Sequence, residues 1–340
     1  MVENKMINNL TKKEIDNLYN WAKKYDIKKL QTKDKNKLLD IKELTLGELY
    51  RAEKNFSYIP NEIFKLVNLK ELYIKSINLK ALPKDIGNLI NLEELVIGGD
   101  CKLKKLPKEI VKLTNLKKLE ISCQKSNELP KELFNLTNLK EFEIRSENLE
   151  KLPNEIANFV NLKSLIISCD KLVKLPKEIC NFSKLENIEI ACENLKELPH
   201  EIGNLKKLKY FTLWESNLKK FPKEFGNLIN LEYFKIYSSY SLKEFPKEIA
   251  NFTKLIHLTI ECYKMKELPR EIKNLVNLER IDIIWDGYAK ELPNEILNFE
   301  KLKFIEIKKS GFIYKSFGRE YKIEKAKKKI KKNINKTKKG

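Results

Sequence analysis

The chain has 340 residues, of which 34% are charged, and it carries a formal net charge of +20. Such a charge attracts polyanions if it is concentrated on one surface, and favours only solubility if it is spread over the molecule. The start of the chain, MVENKMINNL, lacks the apolar run of a secretory signal, and no stretch approaches the roughly 20 apolar residues of a membrane span. We therefore expect a soluble, cytoplasmic protein, although export by a route that needs no standard signal peptide stays open.

The six cysteines and two histidines predict neither a disulfide framework nor a metal site. The cysteines form no CxxC pair, and neither histidine lies at ligand spacing from a cysteine cluster. Four cysteines recur at one phase of the repeat described below, which favours a reduced, structural role: Cys123, Cys169, Cys192 and Cys262. We predict no metal, no cofactor and no small-molecule substrate.

Residues 1–40 predict an N-terminal helical cap with a decayed half repeat. Thr11 and Glu14 form a capping-box pattern. Apolar residues then follow at helical spacing, namely Ile15, Leu18, Ala22 and Tyr25. Lys28–Lys37 resembles the loop half of the later repeats, with Gln31 where proline would stand.

A repeat of 23 or 24 residues organises residues 41–314. Its clearest marker is proline, because all eleven prolines fall at one phase: Pro60, Pro83, Pro107, Pro130, Pro153, Pro176, Pro199, Pro222, Pro246, Pro269 and Pro293. The phased copies predict one solenoid of eleven or twelve rungs rather than several globular domains.

Each repeat joins a strand half to a short helical half. If the leucine that opens the strand half is position 1, apolar residues hold positions 1, 4 and 6, as in Leu185, Ile188 and Ile190. The spacing of two between positions 4 and 6 is typical of a strand with one buried face. In the other half, proline is expected at the first helical position, with an acid two residues later against the positive end of the helix dipole. Asparagines such as Asn138 and Asn161 are expected to turn the chain back through local side-chain bonds.

The pattern LxxLxLxxxxLxxLPxEIxxLxx resembles the leucine-rich repeat family, in particular its bacterial, intracellular-type repeats with an LPxEIxxLxxL half. The resemblance implies an α/β repeat solenoid, which is a horseshoe with a concave parallel β-sheet and short helices or turns on the convex side. That family normally places asparagine at position 9, and no repeat does so here. Position 8 is small instead in eight copies, and we predict that these side chains pack at the strand exit: Ser76, Gly99, Cys123, Ser146, Cys169, Cys192, Ser238 and Cys262.

In such a solenoid the binding surface is usually the concave sheet, whose exposed side chains come from positions 3, 5 and 7. Acids outnumber bases there by nine to six, so the basic excess of the chain lies elsewhere. Aromatic residues gather late in this face, and clustered Tyr, Trp and Arg are typical of protein-binding hot spots. The residues expected to bind a protein or peptide are Tyr210, Trp214, Tyr233, Tyr237, His257, Arg280 and Trp285. The alternative that these side chains only stabilise the sheet by cross-strand stacking stays open.

A secondary acidic patch is predicted at Glu120, Glu143 and Glu189. Catalysis is not expected, because neither histidine has a Ser or Cys partner at a recognisable spacing and no glycine-rich phosphate loop exists. The acids of the helical halves are assigned to rung geometry. We therefore predict a non-catalytic interaction scaffold whose partner is a protein or peptide.

Residues 315–340 predict a C-terminal cap and a basic tail. Phe312, Ile313, Tyr314 and Phe317 are expected to shield the last rung. From Arg319 to Gly340 the chain has eleven basic and two acidic residues. The run Lys325–Lys332 supports an alternative function, which is weak binding of nucleic acid or of an anionic membrane. A tail that serves only solubility is the competing interpretation.

Overall fold

The computed structural model describes residues 10–48, 55–99, 101–122, 127–265, 268–286, 299–310 and 321–322. These residues fall into two compact units, Met1–Asp170 and Lys171–Gly340, which we call unit 1 and unit 2. Several predicted features lie outside the described residues: Cys123, the expected cap residues from Phe312 to Phe317, and the lysine run of the tail.

Unit 1 begins with helix α1, Lys12–Lys24, which confirms the helix that the capping-box pattern predicts. The hydroxyl of Thr11 accepts a hydrogen bond from the backbone N–H of Glu14, and the Glu14 carboxylate accepts one from the backbone N–H of Thr11. An ion pair of 2.6 Å between Lys65 Nζ and Glu14 Oε1 joins α1 to the first regular repeat. The helix buries Ile15, Leu18, Trp21 and Ala22.

A short 3₁₀-helix, Lys28–Leu30, and helix α2, Lys35–Leu39, connect α1 to the first strand. The prediction that Gln31 takes the place of proline is wrong. Helix α2 begins after Asp34, whose carboxylate accepts hydrogen bonds from two backbone amides of the first turn. An aspartate cap therefore satisfies the free amides at the start of this helix.

The six strands of unit 1 pair in parallel and in sequence order. They are β1 Glu43–Leu46, β2 Glu71–Lys75, β3 Glu94–Gly98, β4 Lys118–Ser122, β5 Glu141–Ser146 and β6 Ser164–Cys169. Positions 4 and 6 are buried in each strand, as Leu72 and Ile74 are in β2. Positions 3, 5 and 7 project from the other face of the sheet, which we call the open face.

Unit 2 repeats the same arrangement with six further parallel strands. They are β7 Asn187–Ala191, β8 Tyr210–Trp214, β9 Tyr233–Ser239, β10 His257–Cys262, β11 Arg280–Asp286 and β12 Phe304–Ser310. A two-residue strand, β13 Tyr321–Lys322, pairs antiparallel with β12, a contact that the sequence pattern did not predict. The parallel strands alternate with short helices in both units, which confirms the predicted α/β repeat solenoid.

The helical half of each described repeat is a five-residue 3₁₀-helix that follows directly after proline. These helices are Asn61–Lys65, Lys84–Asn88, Lys108–Lys112, Lys131–Asn135 and Asn154–Asn158 in unit 1, and Lys177–Asn181, His200–Asn204, Lys223–Asn227, Lys247–Asn251 and Arg270–Asn274 in unit 2. The prediction that proline is the first helical residue is wrong by one position. Pro176 has φ −65° and ψ 137° and precedes the helix, and its carbonyl accepts the first hydrogen bond, 3.2 Å from Ile179 N. The fixed φ of proline suits this position, while the extended ψ keeps the residue outside the helix.

The asparagines before each strand bond to the preceding repeat rather than locally, so the prediction of local bonds is wrong. Asn138 Nδ2 donates to the carbonyl of Thr114 at 2.8 Å, and Asn161 Nδ2 to that of Thr137 at 2.9 Å. The same bond recurs from Asn68, Asn91, Asn115, Asn230 and Asn277. These residues form a row of hydrogen bonds between neighbouring rungs.

The small residues at position 8 pack in the interior where the strands end, as predicted. Buried members among the described residues are Ser76, Ser146, Cys169, Cys192 and Cys262. The hydroxyl of Ser76 donates to the carbonyl of Phe56 at 2.8 Å and accepts from the amide of Phe56 at 3.1 Å. These two bonds link neighbouring rungs. In β9 the register shifts, so that Ser239 rather than Ser238 lies opposite Cys262 and is buried. Gly99 has a φ of 87°, a left-handed conformation that glycine adopts at little cost.

The described cysteines form no disulfide and are buried, in keeping with the structural role expected of them. Burial raises the pKa of the Cys262 thiol to about 12, and that of Cys180 likewise to about 12. Since the thiolate is the reactive form, these residues are inert packing groups at neutral pH.

The core beneath the aromatic part of unit 2 is a cluster of phenylalanines. Phe234 contacts the rings of Phe211, Phe225 and Phe252 at centroid distances of 5.7, 5.2 and 5.9 Å. All four side chains are fully buried. The strands that carry the exposed aromatic residues are therefore fixed from below by a packed core.

Among the helices that the structure describes, none has both the length and the apolar composition needed to cross a membrane.

Candidate functional site

The open face of unit 2 carries a row of side chains at position 3 on five consecutive strands. The strand register places Tyr210, Tyr233, His257, Arg280 and Phe304 opposite one another in that order. Tyr210 and Tyr233 stack with their ring centroids 4.8 Å apart and their planes 16° from parallel. That distance equals the spacing of neighbouring strands, because in-register residues on parallel strands are held at about 4.8 Å. Tyr210 remains 40% exposed.

A second aromatic stack lies at position 7 of the same strands. Trp214 and Tyr237 are register partners on β8 and β9, and their ring centroids lie 4.0 Å apart with planes 17° from parallel. Trp214 Nε1 donates a hydrogen bond of 2.9 Å to Glu189 Oε1 on β7. Burial raises the pKa of Tyr237 above its ordinary value. Two stacks, at positions 3 and 7, therefore project from β8 and β9.

A charged network continues the position-3 row. Asp282 Oδ2 accepts hydrogen bonds from His257 Nε2 at 2.9 Å and from Arg280 Nε at 2.8 Å. Burial alone raises the pKa of Asp282, but the bonds from His257 and Arg280 outweigh it, and the pKa lies below its ordinary value. Asp282 is only 8% exposed. The network holds His257 and Arg280 in fixed positions beside the tyrosine stack.

The geometry of His257 argues against a catalytic triad. Thr259 Oγ1 lies 3.1 Å from His257 Nε2, and Asp282 contacts the same ring nitrogen. In a Ser-His-Asp triad the hydroxyl and the carboxylate bind opposite nitrogens, so that the ring can take a proton from one while the other orients it. A histidine that meets both groups through one nitrogen cannot do this. The cluster is suited to holding a surface rigid.

Two cations of this face already lie beside aromatic rings. Lys235 Nζ is 6.0 Å from the ring centroid of Tyr233, and the Arg280 guanidinium is 5.7 Å from that of Phe304. Such cation–π contacts are weakly stabilising at exposed sites. Phe304 itself is 46% exposed, so the row continues to β12 as an accessible surface.

The predicted binding residues fall on adjacent strands of unit 2, with one difference in detail. Six of them belong to the stacks and the network described above. Trp285 lies on β11 at position 8, where the register places it opposite Cys262, and its side chain lies outside the described part of the structure. The register therefore assigns Trp285 to a different row from Trp214 and Tyr237.

The predicted acidic patch divides between the two units. Glu120 and Glu143 are register partners on β4 and β5 in unit 1. Burial, together with the like charge of Glu143, raises the pKa of Glu120, whereas Glu143 forms an ion pair with Arg145. Glu189 belongs to unit 2, where it is the acceptor for Trp214.

Sequence reasoning missed the roles of Asp282 and Ala191. Asp282 is one of the nine acids at positions 3, 5 and 7, and an acid at position 5 next to a histidine and an arginine at position 3 is a readable signal for a charged network. Ala191 is the register partner of Trp214, and its small size leaves one face of the indole uncovered by its neighbour. A histidine–acid pair one rung apart and a small residue beside a tryptophan of the open face are the patterns that would have found them.

The described residues contain no group of three or more His, Cys, Asp or Glu side chains placed to hold a metal ion. The open face of unit 2 offers instead ring edges, hydroxyl groups and a few charges on a rigid sheet. These groups can bind a partner surface by contact and hydrogen bonding.

Comparison with known proteins is consistent with the repeat pattern. A family model described as a leucine-rich repeat region matches residues 22–155 and 148–267. No curated protein matches the chain.

Several solved structures share the fold. A leucine-rich repeat protein of Leptospira interrogans is 28% identical, with a TM-score of 0.65, over 80% of this chain and 79% of that chain. A TDR receptor is 23% identical with a TM-score of 0.60, and the match covers 79% of this chain and 47% of the receptor chain. The Toll–Spätzle complex of Drosophila is 19% identical with a TM-score of 0.60, over 72% of this chain and 37% of that chain.

Proposed function

The chain belongs to the leucine-rich repeat family, and we propose that it is a non-catalytic scaffold that binds a protein or peptide on the open face of unit 2. The binding surface consists of the position-3 row and the position-7 stack, which together contain Tyr210, Trp214, Tyr233, Tyr237, His257 and Arg280. Proteins of this fold typically serve as interaction scaffolds. The surface on this chain and the nature of its partner are our proposal.

One observation carries the proposal: two aromatic stacks project side by side from β8 and β9, above a packed phenylalanine core. Rigid Tyr and Trp side chains bind at a small entropic cost, because the stacks and the core fix their rotamers before a partner arrives. Cross-strand stacking alone explains a single pair, at about 0.5–1.5 kcal/mol. It does not explain why Tyr210 and Phe304 remain 40% and 46% exposed at either end of one row.

The Toll–Spätzle structure offers an analogy for this class of function, since a repeat protein is solved there with another protein bound. At 19% identity this likeness concerns the fold, and it carries no information on which partner this chain binds.

The test is recovery of co-purifying proteins from the source cell. A variant with Tyr210→Ala, Tyr233→Ala and Tyr237→Ala is compared with the unchanged chain. We expect the specific partner to be lost, because the substitutions remove both stacks and leave the buried positions 4 and 6 intact.

The matched control carries three alanines on the open face of unit 1, at Tyr73, Glu94 and Lys118. It should retain the partner. Unchanged recovery of every co-purifying protein by the aromatic variant would remove the basis of the proposal, and so would equal loss with the control.

The polyanion alternative depends on the basic tail, whose lysine run lies outside the described residues. A chain that stops at Phe317 distinguishes the two functions. If binding of nucleic acid or anionic vesicles disappears on truncation and weakens steeply with salt, the tail carries it. Protein binding by unit 2 should survive both changes.

A further inference from the structure

The two faces of the half-buried Trp214 indole have different neighbours. Tyr237, on β9, stacks on the first at a centroid distance of 4.0 Å. The second face is turned toward β7, where the register partner of Trp214 is Ala191. A methyl group cannot cover an indole, so a slot one side chain wide is left above Ala191.

A carboxylate stands at the edge of this slot. Glu189 Oε1 accepts the 2.9 Å hydrogen bond from Trp214 Nε1, and Glu189 is half-buried. The donor is a neutral N–H, so this hydrogen bond brings no positive charge to Glu189. Among the described residues no lysine, arginine or histidine forms an ion pair with it.

Two neighbouring aromatic rings of this face each have a cation beside them. Lys235 lies near Tyr233 and Arg280 near Phe304, at 6.0 and 5.7 Å from the ring centroids. Arg280 also pairs with the carboxylate of Asp282, so this cation is held by a ring and an acid together. Trp214 and Glu189 present the same combination of ring and acid, and the described part of the face supplies no cation to it.

We propose that the slot formed by Trp214, Glu189 and Ala191 receives a cationic side chain of the partner, with arginine preferred over lysine. The guanidinium is planar, stacks on an aromatic face and keeps N–H groups at its rim for a carboxylate. An ammonium group can make only one of these contacts well. On positions 3, 5 and 7 of unit 2 four acids stand against three bases, and this small acidic excess favours the same partner, which is a basic peptide segment.

This inference rests on the proposed function, since it names the partner chemistry of the same face. The probe is a display library of random peptides of about twelve residues, selected on the immobilised full chain. We expect the enriched peptides to contain arginine at a recurring position. A synthetic copy of the most enriched peptide then serves for affinity measurements.

Two substitutions address the slot without touching the core. Glu189→Gln keeps an acceptor for Trp214 and removes the charge, while Ala191→Leu fills the space over the indole. Each should weaken peptide binding by about tenfold. Glu261→Gln is the matched control, because Glu261 is another half-buried acid of the face held by a neutral donor, Tyr263. It should change the affinity less than about twofold.

On the peptide side, replacing the recurring arginine by lysine should weaken binding several-fold, and replacing it by neutral citrulline should abolish the contribution of Glu189. Circular dichroism and urea unfolding verify that each variant is folded. If no peptide is enriched, if the enriched peptides lack basic residues, or if Glu189→Gln and Ala191→Leu leave the affinity unchanged, the inference is wrong. Neutral peptides that are lost when Tyr210 and Tyr233 become alanine would contradict the arginine slot and leave the proposed function intact.

Discussion

The open faces of the two units use their positions 3, 5 and 7 in different ways. In unit 1 several charges pair within the face, as in the 2.7 Å ion pair between Lys118 and Glu94 and the pair between Arg145 and Glu143. In unit 2 the same positions carry stacked rings and one charged network. Since positions 4 and 6 build the rung in both units, the difference lies only in residues that the fold does not need. A difference confined to such residues is what specialisation for binding produces.

The two units also differ at the position that precedes the opening leucine of each strand half, which we call the strand-entry position. In unit 1 asparagine stands three residues before each strand from β2 to β6, and each of these asparagines donates to a carbonyl of the preceding rung. In unit 2 lysine holds this place at Lys184, Lys207, Lys254 and Lys301, while Asn230 and Asn277 keep the bond to the carbonyl. Lys254 and Lys301 donate instead to the side-chain oxygens of Asn230 and Asn277, at 2.6 Å each. The inter-rung bonds of this row therefore end on backbone carbonyls throughout unit 1, whereas in unit 2 bonds between side chains replace some of them.

The largest effect should come from the core of unit 2 rather than from its face. Phe234→Ala removes a fully buried ring that contacts several others and should cost about 3–5 kcal/mol in the free energy of unfolding. The adjacent Tyr233→Ala should cost about 1 kcal/mol or less, because the lost contact is one exposed stack. Urea unfolding of both variants measures the difference. Equal losses would show that the face is part of the structural core.

A smaller loss of stability should distinguish the strand-entry asparagines of unit 1 from the strand-entry lysines of unit 2. Asn138→Ala removes a side-chain donor to the carbonyl of Thr114 and should destabilise the protein by about 1 kcal/mol. Lys207→Ala, at the equivalent place in unit 2, changes an exposed side chain and should shift the unfolding midpoint by less than about 0.5 kcal/mol. If the lysine variant lost as much free energy of unfolding as the asparagine variant, the bond from Asn138 would not be what stabilises the protein at this position.

The smallest effect is a pH dependence of opposite sign in the two faces. The folded-state pKa of Asp282 is lowered by His257 and Arg280, against the effect of burial, so its stabilisation is present above about pH 4 and is lost as the pH falls through the folded pKa. The folded-state pKa of Glu120 is raised by burial and by Glu143. Its contribution is fully present below about pH 4.3 and is lost as the pH rises through the folded pKa.

Urea midpoints measured between about pH 3 and pH 7 test these signs. Asp282→Asn should destabilise the protein near neutral pH and lose that effect in acid. Glu120→Gln should stabilise it slightly near neutral pH, because a buried charge beside Glu143 is removed. A pH profile that moves in the same direction for both variants would contradict the assignment.

The fold was predictable because every repeat carries the same residue pattern, so each copy supports the same assignment. Each rung places proline, an acid and the apolar positions at one phase, and small residues such as Ser76 had only one place to pack. Bonds that cross from rung to rung were harder to predict. The partner of Asn138 lies 24 residues away, and the alternative of a local bond has the same sequence signal.

The candidate site was predictable as rows of residues but not as contacts. Register arithmetic places Tyr210 beside Tyr233, yet it cannot give the rotamers that bring Trp214 Nε1 to Glu189 or leave the indole open above Ala191. Those depend on the size of the neighbouring side chain and on competing hydrogen bonds. The shielding of the last rung by Phe312–Phe317 and the lysine run of the tail remain predictions from sequence.

The central claim is that the partner docks on the open face of unit 2. A photo-crosslinking amino acid placed at Tyr210 tests it directly, with the same group at Tyr73 on the open face of unit 1 as the comparison. The account predicts one discrete crosslinked partner from position 210 and none from position 73. Crosslinking of the same partner from position 73, with none from position 210, would contradict it.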